Sequence, residues 1–120
     1  MRIFVVSAYG YWGDVSPEDF HGTRQIGGGE TAMMHVSKEL AALGHEVFVF
    51  YNTPRGQKFD GVDYVPMKFF TNMACSIEHD VLVSWDSPAA LRFASRQKKT
   101  VLAFQLNDTY VGPFSYVIDQ

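Results

Sequence analysis

Short apolar runs recur along this chain and limit what it can fold into. Ile3-Phe4-Val5-Val6, Val47-Phe48-Val49-Phe50-Tyr51, Val81-Leu82-Val83 and Val101-Leu102-Ala103-Phe104 are continuous stretches dominated by β-branched, aliphatic and aromatic residues. A strand covered on both faces of a parallel sheet has this composition. Val62-Asp63-Tyr64-Val65 is a shorter run that alternates, so about five strands are expected. Between the first two clear runs, Met33, Val36, Leu40 and Leu43 recur at helical spacing, with His35, Lys38 and Glu39 elsewhere around the helix. Gly44 follows as the expected stop. Residues 68–78 read as a further helix. Pro88 stands where a first helical turn tolerates proline, and residues 89–97 continue as a helix closed by Arg96, Lys98 and Lys99. Strands alternating with helices imply right-handed crossovers and an α/β fold, a parallel sheet with helices on both faces.

That architecture also says where to look for a site. Open α/β sheets bind ligands outside the carboxyl ends of their strands, which here fall at residues 7–10, 51–54, 84–87 and 105–108. Residues 9–29 make a connection of about twenty residues where such loops commonly take about 2 to 6, and loops of that length are commonly functional. The connection ends in Gly27-Gly28-Gly29-Glu30 at the head of the first helix. Glycines let the backbone approach a ligand closely, and the free N–H groups of a helix start favour an anion such as a phosphate. One glycine is enough for a turn, so three in a row point to a nucleotide diphosphate. The competing reading is a tight turn in which Glu30 only complements the helix dipole. A dinucleotide fingerprint needs G-x-G-x-x-G after the first strand, yet Gly10 and Gly13 are spaced differently and lack a third partner, and no P-loop lysine follows the glycine turn. NAD and ATP sites of those kinds are disfavoured.

Composition removes other function classes. With 120 residues and 47% hydrophobic content the chain suits a single domain spanning 1–120. A net charge of −3 and no basic stripe argue against nucleic acid as a partner. Residues 1–9 lack the parts of a signal peptide and fall far short of the roughly 20 residues that cross a bilayer. Arg96, Lys98 and Lys99 are what a helix dipole favours at its C-terminus, so peripheral membrane association is not supported. Cys75 has no second cysteine for a disulfide or a metal pair, and no histidine pair has ligand spacing. No metal is expected, and a cytoplasmic location is the default.

Aromatic and polar residues gather near the strand ends. Tyr9, Tyr11 and Trp12 in the long loop suit stacking on an acceptor sugar, or pin the loop to the domain. His21, close to Phe20 and Arg24, either touches an acceptor or is a plain loop residue. Trp85 and Asp86 close a strand where an aromatic face and a carboxylate hold a sugar ring. Against this, Trp85 packs on the neighbouring helix and Asp86 caps the next one. His45 reads as a helix cap, His35 as a solvated helix position and His79 as a surface group. Met67, Phe69, Phe70 and Met73 are plentiful for one segment and leave an exposed patch if a partner domain covers them.

The series Met1-Arg2-Ile3, Gly27-Gly28-Gly29-Glu30, His35-Val36-Ser37-Lys38-Glu39-Leu40-Ala41-Ala42-Leu43 and Gly44-His45-Glu46-Val47 resembles the N-terminal domain of family-4-type GT-B glycosyltransferases. The resemblance follows element order over most of the chain and is distinctive at the residue level over 26–49. It implies a Rossmann-like domain that is the N-terminal half of a GT-B architecture. The second domain holds a nucleotide-diphosphate sugar as co-substrate and the first holds the carbohydrate or other hydroxyl acceptor, with no tightly bound cofactor. Carried over, the resemblance implicates Gly28 and Gly29 at the donor phosphates, with Glu30 and Arg24 and the adjoining Gly27; the acceptor candidates are Tyr11, Trp12, His21, Trp85, Asp86 and Asn107. The family commonly carries a histidine at a later strand end, where this chain reads Gln105-Leu106-Asn107-Asp108. Asn107 exchanges hydrogen bonds but does not titrate, so it suits orienting a hydroxyl rather than acid–base work. Asn107 and Asp108 are the candidates for catalysis at this strand end. The family's second domain, with its paired glutamates, lies outside the 120 residues, so the expectation is a truncated half that transfers no sugar alone. Two rivals remain. A nucleotide-dependent oxidoreductase or isomerase needs an acidic residue after strand two, where Tyr51-Asn52-Thr53 has none. A stand-alone nucleotide- or sugar-binding module needs no partner domain.

Overall fold

A computed structural model describes residues 1–7, 28–52, 56–85 and 100–103. In chain order these form β1 (Arg2–Ser7), α1 (Gly28–Ala42), β2 (Glu46–Tyr51), β3 (Gln57–Phe59) and β4 (Val62–Pro66). A 3₁₀ turn (Met67–Phe69) then leads into α2 (Phe70–Ser76), followed by β5 (Val81–Ser84) and β6 (Thr100–Ala103). The strands make one sheet in the order β3-β4-β2-β1-β5-β6. Every pairing is parallel except that of β3 with β4. With β3 set aside, the parallel strands run third, second, first, fourth, fifth in chain order. This is the doubly wound order, with its reversal between β1 and β5.

The continuous apolar runs are explained by cover on both sides. Successive side chains of a strand point to opposite faces. Ile3, Val5, Val47, Val49, Tyr51 and Val83 pack with Met33 and Met34 of α1. Phe4, Val6, Phe50 and Leu82 pack on the other face with Phe70 and Ala74 of α2. Helices therefore lie on both faces, as expected. Phe4 is wholly buried and meets Phe48 and Phe50 edge to face, with ring centroids 5.5 and 5.0 Å away.

The expected alternation of strand and helix breaks once. After β2 the chain returns along β3, a short antiparallel edge strand, and so reaches the start of β4 without a helix. The hairpin turns at Asp60-Gly61, with φ of 52° and 77°. Positive φ at both central residues is what a type I′ turn requires, and Asp-Gly is one of the pairs that meets it. The two strands at the sides of this hairpin are tied by Phe59 opposite Val62.

On α1 the buried face is turned away from the expected stripe. Met33, Met34 and Ser37 are buried and Leu40 and Ala41 are partly so, whereas Val36 and Leu43 are 45% and 74% exposed. At about 100° per residue, Val36 and Leu43 stand roughly 100° and 120° around the helix from Ser37. Ser37 is buried on this face, and its hydroxyl donates to the Met33 sulfur at 3.7 Å. The helix ends as expected. Gly44, at φ 98°, gives its N–H to the Ala41 carbonyl at 3.0 Å, and the His45 N–H reaches the Leu40 carbonyl at 3.2 Å. These are the two bonds of a Schellman stop.

The helix expected over 68–78 is observed as the 3₁₀ turn and α2, ending earlier because Ile77 is extended at φ −115° and ψ 122°. His79 corrects the sequence reading. It is buried, lies flat on Phe4 with ring centroids 4.1 Å apart, and its Nδ1 is 2.9 Å from the Ile77 carbonyl oxygen. The exposed neighbours Glu78 and Asp80 hide that role. Arg2 binds this end of the sheet together: its guanidinium meets Glu46 at 3.1 Å and the Glu78 carbonyl at 2.8 Å, while its N–H donates to Asp80 at 2.8 Å. The helix expected over 89–97 and the run's last residue, Phe104, lie outside the described residues.

Candidate functional site at the carboxyl edge of the sheet

Parallel pairing brings five strand ends to one edge. Ser7 stands opposite Tyr51, Tyr51 opposite Pro66, and Ser84 is opposite Val6 on one side and Ala103 on the other. The Trp85 N–H continues the ladder to the Val6 carbonyl at 3.0 Å. Because α1 packs along the sheet and passes through Leu43–His45 into the start of β2, its N-terminus lies toward this same edge. Gly28, Gly29 and Glu30 make the helix's first turn, where backbone N–H groups have no partner within the helix and the dipole favours an anion. The expected glycine turn is thus in part helix: Gly28 and Gly29 already have helical backbone.

Alternation along the strands sets what lies beneath that helix. Ser7 has the same parity as Ile3 and Val5, so it shares the α1 side with Tyr51 and Trp85. A hydroxyl-bearing residue between two large aromatic ones therefore closes the row of valines and isoleucine below it. Ser7, Ser84 and Tyr51 are wholly buried, and Ser7 and Ser84 flank the β1–β5 reversal. Sequence reading places these three at strand ends but assigns them no role, because none of them carries a motif. The regular alternation of each run is the signal that places them.

Trp85 follows the burial reading. It is 6% exposed and belongs to the cluster with Met33 and Met34, so its ring is core rather than an open sugar platform. Tyr51 packs edge to face on Tyr64 at 5.5 Å. Burial, and then the nearby Tyr51 and Asp60, push the Tyr64 hydroxyl above the ordinary tyrosine range. It therefore stays protonated throughout the neutral range. Asn52 follows β2, exposed, and neither it nor Tyr51 supplies the carboxylate a dinucleotide ribose takes at this position.

Of the apolar residues after β4, Phe70 is buried, Met67 and Met73 are half-buried, and Phe69 is 45% exposed with the Lys68 ammonium 5.2 Å from its ring centre. His35 is exposed, as expected, and Cys75 is exposed and free. Among the described residues no group of three or more histidine, cysteine, aspartate or glutamate side chains is placed to hold a metal, and no helix is long and apolar enough to cross a membrane. Tyr9, Tyr11, Trp12, His21, Arg24, Gly27, Asp86, Asn107 and Asp108 lie outside the described residues. No protein-family model, curated protein or solved structure matches the chain.

Proposed function

We propose that this chain is the acceptor-side domain of a GT-B-type sugar transferase that uses a nucleotide-diphosphate sugar. The observation that carries the reading is the glycine-bearing first turn of α1, held at the carboxyl edge of a parallel sheet in doubly wound order. The resemblance over residues 26–49 supports it, and so does the lack of a dinucleotide or P-loop fingerprint.

In this reading the Gly28 and Gly29 amides face the donor diphosphate, with Gly27, Glu30 and Arg24 beside them. An acceptor hydroxyl attacks the anomeric carbon while the bond from that carbon to the phosphate oxygen breaks. Negative charge then develops on the departing diphosphate, and fixed N–H dipoles lower the barrier most where charge develops. Tyr11, Trp12, His21 and Asp86 shape the acceptor side, and Asn107 orients a hydroxyl beside Asp108. The nucleoside and most donor contacts come from a second domain, so this half binds ligands without turning them over.

Amide NMR of the isotope-labelled chain tests the reading. Titration with UDP, ADP and GDP is expected to shift Gly28 and Gly29, and oligosaccharide to shift a separate set. Nucleotide shifts without any saccharide response favour a stand-alone nucleotide-binding module. Binding of NAD at those amides favours the oxidoreductase, and silence toward every nucleotide and saccharide rejects the proposal.

A further inference from the structure

We draw no further inference here: the strongest candidate, the exposed Phe69 ring with the Lys68 ammonium beside it where β4 runs into α2, is a surface patch at the edge of the site already described, and nothing in the structure shows what covers it.

Discussion

Gly44 and Gly56 separate two reasons for needing glycine, and substituting each tests both. Gly44 ends α1 at φ 98°, and a Cβ built there meets nothing within 4 Å. Its requirement is therefore one of backbone conformation alone. Left-handed backbone costs an ordinary L-residue about 1–2 kcal/mol, and asparagine tolerates it better. Gly44→Ala is thus expected to cost about 1–2 kcal/mol and Gly44→Asn distinctly less. Gly56 has no such φ, but its added Cβ lies 2.8 Å from the Tyr64 carbonyl oxygen and 3.4 Å from Pro66 Cδ. Backbone atoms yield little, so Gly56→Ala is expected to cost at least as much as Gly44→Ala, with no relief from asparagine. Urea unfolding followed by far-ultraviolet circular dichroism measures all four variants, and a 1–2 kcal/mol loss lowers Tm by about 3–12 °C for a domain of this size. The first turn of α1 lies about 20 Å from Gly44 along the helix, so nucleotide shifts at Gly28 are expected to survive Gly44→Ala. Equal costs for alanine and asparagine at Gly44 would refute the backbone account, and rescue by asparagine at Gly56 would refute the steric one.

Three further perturbations probe the core and its charge. Phe4→Ala removes a wholly buried ring that touches Phe48, Phe50 and His79; a loss of about 3–5 kcal/mol is expected in urea unfolding, and a loss under 1 kcal/mol contradicts this packing. Met33→Asp is expected to unfold the domain, whereas Val36→Asp and Leu43→Asp change stability by about 0.5 kcal/mol or less; the original stripe of Met33, Val36, Leu40 and Leu43 predicts that all three fail alike. Tyr64 is held protonated by burial, so its contribution is fully present below the unfolded value of about 10 and is lost as pH rises above it. Alkaline melts should therefore be steeper in the parent than in Tyr64→Phe, and identical slopes would show that Tyr64 is not the group responsible.

How much of this fold can be read from sequence depends on how many faces an element buries. β1 hides five of its six residues and β2 four of six, so both leave unbroken apolar runs that periodicity finds. β3 is an edge strand of three residues with Lys58 68% exposed at the side chain, and hydropathy cannot separate it from a loop. The Asp60-Gly61 pair was the available signal, legible only once both residues are recognised as needing positive φ. On α1, two overlapping stripes satisfy helical spacing, and hydropathy chose Val36 over Ser37. In the fold Ser37 is buried beside Met33 and Met34, and Val36 stands 45% exposed.

The candidate site shows the same division. Glycines announce themselves, because no ordinary strand or helix interior favours three of them in a row. Ser7, Tyr51 and Ser84 do not, because a buried hydroxyl at the end of an apolar run looks like the run's last residue. Topology joins the two sets. α1 passes into the amino end of β2 through Leu43–His45 and packs along the sheet, so it runs from carboxyl ends to amino ends. Its first turn and the row containing Tyr51, Ser7 and Trp85 then share one edge of the sheet. The positive end of α1 therefore lies toward the same carboxyl edge of the sheet that carries the β1–β5 reversal. The location of that edge depends on strand direction.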